Sequence, residues 1–500
     1  MLLRGVIALL FLPLVLAAEE LKPFVITVLD EQTGRGVPLV ELKSVSEQRF
    51  YSDSNGVIAL TDPAMLNRDV FFHISSHGYE FQKDGFGFRG KALSVKPGGS
   101  VELKIKRINI AERLYRITGE GIYRDSVIAG RAVPIKEPLL NAQVCGQDSV
   151  QMLEYRGKYF WFYGDTNRQS YPLGQFGMSG ATSRTRAAGL NPARGIDLDY
   201  FVDASGFSRP MCPWGGSDPK WIDRLVVVRD EKGTERLVGR CSRMKSLGEV
   251  AERTLVVYDD EKNIFNSTQV LKNDDDFAMS HTLLHKTADG EFVYFTSPYA
   301  CVRVKADFAS FCNPETYESF TCLKAGAQYA KAASVLDRDA DGKLIWAWKR
   351  AAPVTLERQK ELIDAGLIKP AEGWYRLADA ESGKPVYAHN GTIQYNAFRK
   401  RWVMILNEKM GTSMLGEVWY SEATAPEGPW ETARKIVTHD KYTFYNVCHH
   451  ALLDDDGGRV IFFEGTYTMQ FSGTTHATPG YDYNQIMYRL NLSDPRLKLK

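Results

Sequence analysis

Asp148 and Asp165 bracket the stretch CGQDSVQMLEYRGKYFWFYGDTN, residues 145–167. At its middle Arg156-Gly157-Lys158 is a turn signal. Val150, Met152 and Leu153 precede it and the aromatic run 159–163 follows, so the pattern predicts a β-hairpin. A hairpin brings its end back level with its start, which puts both carboxylates on one rim. Two carboxylates held together can divide into an acid and a base. Hydrolysis of a glycosidic bond needs that division: one protonates the leaving oxygen, the other activates water or attacks the anomeric carbon. Aspartates at such positions also cap turns, which is the plain alternative.

The elements that must hold this pair recur along the chain. Apolar strands that break into polar residues follow at 237–244 (LVGRCSRM), 292–299 (FVYFTSPY), 402–409 (WVMILNEK) and 460–467 (VIFFEGTY), after the first at 159–166 (YFWFYGDT). Each is preceded by a strand expected to start near Asp148, Asp223, His281, His389 or His450, across a polar, often glycine-bearing turn. Five such units predict a five-bladed β-propeller over residues 143–492, in which first-strand starts and second-strand ends converge on one face. An irregular all-β domain or a pair of sandwiches is the alternative. Residues 350–388 interrupt the pattern, with a helical stretch at 355–366, and read as an insertion between the third and fourth units.

The convergent face supplies the other candidates. Glu464, in FFEGTYT, is a third catalytic carboxyl beside Asp148 and Asp165. His281, His389, Glu408 and His450 are candidate substrate contacts, with Ser297, Asn390 and His449 near them; each histidine can equally serve blade packing. Arg240 can hold a sugar hydroxyl or a uronate, or pair with Asp223. Arg209 and Trp214, in the loop GFSRPMCPW, are a further cation and a stacking ring. Asp337-Arg338-Asp339-Ala340-Asp341-Gly342 begins like a calcium loop, but Trp348 stands where a bidentate glutamate belongs, so a hairpin turn is the better reading. No metal or cofactor site is assigned; a structural ion in the propeller channel is the one allowance. There is no G-x-S-x-G elbow and no phosphate loop.

The chain has 500 residues, 44% of them apolar and 12% aromatic, with a net charge of +1. That excludes a general electrostatic role on nucleic acid and predicts more than one domain. Arg4, the apolar run 6–16 and Ala17-Ala18 predict a signal peptide over residues 1–18, hence a secreted or periplasmic protein with no membrane span in the mature chain. A membrane anchor is the alternative, but the run is short for a span. The seven cysteines show no paired zinc spacing; one disulfide among Cys301, Cys312 and Cys322 is open, as is a Cys145–Cys448 pairing. Residues 20–108 read as short strands, including 37–42, of a β-sandwich, and residues 109–142 as connecting strands at 113–121 and 122–130.

Two resemblances add to this. Gly36, Val37, Pro38, Ser52, Asp53 and Gly56 resemble the transthyretin-like sandwiches appended to exported enzymes, which implies a spacer or binding appendage. The array from 143 to 492 resembles the five-bladed propeller glycosidases. In the glycoside hydrolase family 43 and neoagarobiose-hydrolase branch, Asp148 matches the blade-one base, and Glu417–Ser421 with Pro426-Glu427-Gly428-Pro429-Trp430 resembles a common blade ending. In a branch with FGDT in blade one, which includes endo-arabinan-cleaving enzymes, Asp148 and Asp165 match the paired aspartates. His281 stands where family 43 would place an acidic residue. The resemblance implies an exported glycosidase acting on a polysaccharide or oligosaccharide. A non-catalytic carbohydrate-binding propeller and a polysaccharide lyase are the other readings.

Overall fold

The computed structural model describes residues 22–499 apart from 176, 247 and 272–279, so the signal-peptide reading lies outside the described residues. The chain is mostly β. Among the described residues no helix is long and apolar enough to cross a membrane.

Residues 22–107 form two four-stranded sheets around one core. In spatial order, Val57–Leu60, Phe24–Asp30, Ser100–Arg107 and Tyr79–Glu80 make the first; Arg49–Tyr51, Glu41–Ser44, Arg68–Ser75 and Gly90–Val95 make the second. Ile26, Val28, Leu103, Leu42 and Phe72 alternate inward and meet between them. The G-x-P and S-D-x-x-G segments fit each other. A Cβ at Gly36 would fall 1.8 Å from the Asn55 carbonyl oxygen, so only glycine passes there. The strand expected at 37–42 starts only at Glu41, because Leu39 turns the chain with φ 58°. The strand expected at 122–130 is instead the short helix Arg124–Ile128. Asp53 Oδ2 accepts its Ser126 N–H at 2.7 Å, and Asp125 Oδ1 accepts the Ala59 N–H at 3.0 Å.

Five sheets follow, antiparallel except where Ala378–Asp379 runs parallel to Thr432–Thr438 at the edge of the fourth. Their first strands are Val150–Tyr155, Lys220–Arg229, His281–Thr287, Ala388–Asn396 and Thr443–His449; their second strands are Lys158–Tyr163, Glu235–Ser246, Gly290–Thr296, Arg401–Glu408 and Val460–Thr468. Consecutive first strands pack side by side, and the fifth packs on the first, which closes a cycle. A cavity of about 300 Å³ lies on its axis, lined from all five by residues such as Gln151, Val226, Leu283, Gln394 and Cys448. The outer strand of the fifth sheet comes from the other end of the chain: Glu112–Arg116 pairs with Asn484–Asn491, Ile486 opposite Arg116. The helix Leu356–Asp364 lies between the third and fourth sheets, capped by Thr355 Oγ1 on the Arg358 N–H.

The fifth hairpin differs from expectation. Its first strand starts at Thr443 and ends at His449; the 3₁₀ turns Ala451–Leu453 and Asp456–Gly458 then carry the chain round. His450 therefore stands at the far end of this strand. All seven cysteines are free thiols, so neither disulfide considered forms: Cys145 Sγ faces Glu120, and Cys448 Sγ faces His281 and His450.

The N-terminal sheets dock on the fifth sheet. Arg113, 1% exposed, donates to the carbonyls of Pro38 and His77, both at 3.1 Å, and to Ser76 Oγ. His77 Nε2 meets the Tyr467 hydroxyl at 3.0 Å.

Candidate active site

The hairpin 150–163 pairs in register, Val150 opposite Tyr163, and the pairing continues past it. The Gly164 N–H reaches the Asp148 carbonyl at 2.7 Å and the Asp148 N–H the Asp165 carbonyl at 3.3 Å. Asp148 and Asp165 are thus neighbours at the end where the first strands begin. Ser149 follows at φ 48°, fixed by its N–H on Thr466 Oγ1 at 3.0 Å and by Asn446 Nδ2 donating to its hydroxyl at 2.6 Å. The same device recurs: Arg224 (φ 55°) and Asn446 (φ 52°) follow Asp223 and Tyr445 where the ladders of the second and fifth sheets slip. Each left-handed residue re-aims the one before it, as bulges beside active sites do.

Asp148 is the most constrained group of this rim. Tyr445 donates to its Oδ2 at 2.7 Å, and the Tyr483 hydroxyl faces the same carboxyl. Burial first, and Asp165 second, push its pKa up to about 7 against the pull of the two hydroxyls. Asp165 is also raised by burial, but its Oδ1 accepts the Trp221 indole N–H at 3.1 Å, which favours the charged form. The glycine of YGDT has a steric cause: a Cβ at 164 would fall 2.0 Å from Asp148 Oδ1. Gly164→Ala is therefore expected to displace the carboxyl and to cost about 1–3 kcal/mol by overcrowding, read by denaturant unfolding. Unchanged stability and an unchanged Asp148 midpoint would contradict this contact.

The fourth sheet brings two more candidates to this end. Ala388 pairs with Glu408, so His389 and Glu408 sit together at its start. Burial raises Glu408, whose Oε2 accepts the Trp419 indole N–H at 2.8 Å, and lowers His389. Asn390 Nδ2 donates to Asn446 Oδ1 at 3.2 Å, and Asn446 in turn holds Ser149. That chain ties the starts of the fourth, fifth and first sheets into one rim.

Six expected site residues lie elsewhere. Glu464, 0% exposed, is opposite Cys448 in mid-sheet, its Oε1 2.6 Å from His450 Nε2, so neither reaches the rim. His281 turns to the axial cavity beside Cys448, 3.7 Å from its sulfur; burial and His450 lower its pKa to about 3, which keeps it neutral. Arg240 forks onto Asp223, Nε to Oδ1 at 2.8 Å and Nη2 to Oδ2 at 2.5 Å, and this buried pair leaves no free cation there. Arg209 donates to the Lys262 and Asn263 carbonyls, beside the 259–264 turn at the opposite end of the sheets. Trp214 donates to the Phe265 carbonyl at 2.9 Å and packs between the first two sheets. His449, also expected on the convergent face, is bound to Asp454 at 2.8 Å. Among the described residues no group of three or more His, Cys, Asp or Glu is arranged to hold a metal ion.

Tyr445, Tyr483 and Trp221 were not legible as site residues. Trp221 stands two places before Asp223 and could have been found; Tyr445 needed the correct start of the fifth sheet.

No protein-family model matches this sequence and no curated protein matches it. Solved structures similar to it include an exo-β-1,3-galactanase from Phanerochaete chrysosporium (11% identity, 69% of this chain and 63% of that one, TM-score 0.35). A GH43_1 enzyme from Xanthomonas citri shares 10% identity over 70% of this chain and 89% of that one, TM-score 0.33. An exo-1,5-α-L-arabinanase from a bovine ruminal metagenomic library shares 10% over 70% and 94%, TM-score 0.33. All three likenesses are distant.

Proposed function

We propose that this chain is an exported glycoside hydrolase: an N-terminal β-sandwich on a five-bladed β-propeller, with Asp148 as general acid and Asp165 as base or nucleophile. The observation that carries this is the pair itself. Two carboxyls share one rim, and their surroundings differ in kind. Asp148, enclosed and beside a second carboxylate, keeps its proton to about pH 7; Asp165 receives an indole N–H that suits its anion. Carboxyls driven apart in this way take the acid and base roles. His389 and Glu408 at the same rim are the substrate contacts we retain. Export rests on Arg4 and the apolar run 6–16.

The alternatives fit less well. A lyase needs a cation on the uronate carboxylate, and Arg240 and Arg209, the arginines suited to that by sequence, are committed to Asp223 and to backbone carbonyls. A binding module has no use for a carboxyl raised into the neutral range.

The test is incubation of the purified mature protein with plant, algal and bacterial glycans, reading new reducing ends and ultraviolet absorbance of unsaturated ends. Reducing ends without absorbance are expected. Absorbance would establish a lyase; binding without cleavage would establish a binding module.

A pH dependence follows. Activity falls as pH rises through about 7, where Asp148 loses its proton, and falls in acid as Asp165 gains one. Trp221→Phe removes the donor that favours ionised Asp165, so the acid limb of kcat/KM moves up by about one pH unit. An unmoved acid limb would remove Asp165 from the base role.

A further inference from the structure

The two tyrosines that face Asp148 have different origins. Tyr445 belongs to the first strand of the fifth sheet. Tyr483 ends the connection 469–483, at φ 58°, a conformation that a tyrosine adopts only when its surroundings impose it. Those surroundings include the N-terminal sheets. Two residues earlier, the buried Tyr481 hydroxyl donates to the Ser52 carbonyl at 2.6 Å and accepts the Leu39 N–H at 3.1 Å. Both partners belong to the N-terminal unit. The Arg116 guanidinium covers the Tyr481 ring at 4.8 Å. Between the tyrosines, Asp482 Oδ1 accepts the Met469 N–H at 2.6 Å and the Tyr442 hydroxyl at 2.9 Å. On the other side Gly146, in the strand that leads to Asp148, lies so close that a Cβ would meet the Tyr483 carbonyl oxygen at 2.6 Å.

We propose that the N-terminal sandwich is part of the catalytic apparatus and not an appendage: its grip on Tyr481 sets the Tyr483 hydroxyl facing Asp148, and Tyr481 is a positioning residue for the acid. This rests on the role given to Asp148. The groups facing the Asp148 carboxyl are Asp165, Tyr445 and Tyr483; those around Tyr481 are Arg116, Asp53 and Arg113. A hydroxyl donated to a carboxylate favours its ionised form, so a displaced Tyr483 lets the Asp148 midpoint rise.

The experiment is a carboxyl-carbon NMR titration of the full chain carrying carbon-13 aspartate, with the Asp148 signal assigned by its loss in Asp148→Asn. Tyr483→Phe is expected to raise the midpoint by about one pH unit. Tyr481→Phe, which removes only the hydroxyl on the N-terminal unit, is expected to raise it equally, and the double variant no further. Arg35→Gln cuts a different docking contact, its bonds to the Ala193 and Leu114 carbonyls, and is expected to leave the midpoint in place. Should Tyr481→Phe not fold, Ser52→Ala reads the same link from the N-terminal side, since the Ser52 hydroxyl bonds Val37 and Val40 and so holds the segment that grips Tyr481. A wild-type midpoint in Tyr481→Phe beside a shifted one in Tyr483→Phe would overturn the proposal. So would an equal shift in Arg35→Gln, which would mean general loosening. The titration needs no substrate: if no glycan is cleaved and the midpoints still move as stated, the hydrolase reading fails and the positional link stands.

Discussion

Asp148→Asn is expected to lower kcat/KM on a glycan about 10³-fold while raising stability above neutral pH. The first effect is the loss of the proposed general acid, a group whose contribution is typically about 10²–10⁴-fold. The second follows from proton linkage. Asp148 titrates at about 7 in the folded chain and near 4 when unfolded. Between those values the folded state holds the extra proton, so stability falls as pH rises from about 4 to 7. The asparagine variant escapes that loss. Its melting temperature should exceed that of the wild type at pH 8, and the gap should close by pH 4. A variant less stable than the wild type at pH 8 would show that the site does not hold Asp148 against its charge. Activity gained at a cost in stability is an expected signature of such sites.

Arg113→Met should lower the unfolding free energy by about 1–3 kcal/mol, because it leaves buried acceptors without their donor. The Pro38 and His77 carbonyls and the Ser76 hydroxyl would lose their donor, and the Tyr79 ring would lose the guanidinium at 5.1 Å. Arg113→Lys should recover little, since an ammonium cannot reproduce the planar fork. Urea unfolding of the full chain measures this; a loss below about 1 kcal/mol for Arg113→Met would mean that the N-terminal sheets are held mainly by apolar contact.

What sequence could and could not tell is clear at particular residues. The hairpin around Asp148 and Asp165 was legible because its pattern is local: a turn signal between two apolar runs. Four of the five first strands begin near the residue expected of them for the same reason. The fifth was misplaced because DDDGG has the composition of a tight turn and in fact belongs to a longer excursion through two 3₁₀ turns. That single error moved Glu464 from mid-sheet, and His450 from the far end of its strand, to the rim and concealed Tyr445. Arg240 makes the pairing with Asp223 that was weighed for it, whereas the partners of Arg209 had no local signal. An arginine's partner is set by tertiary contact, and nothing local to residue 209 says that residues 262 and 263 will receive it. The left-handed Ser149, Arg224 and Asn446 left no signal, since none is a glycine.

Leaving-group dependence tests the acid role proposed for Asp148 most directly. Asp148→Asn and Asp165→Asn would be assayed on a cleaved glycan and on the matching nitrophenyl glycoside, whose leaving group departs without protonation. Asp148→Asn is expected to lose about 10³-fold on the glycan and little on the nitrophenyl glycoside, while Asp165→Asn loses activity on both. Equal losses by Asp148→Asn on the two substrates would contradict the acid role.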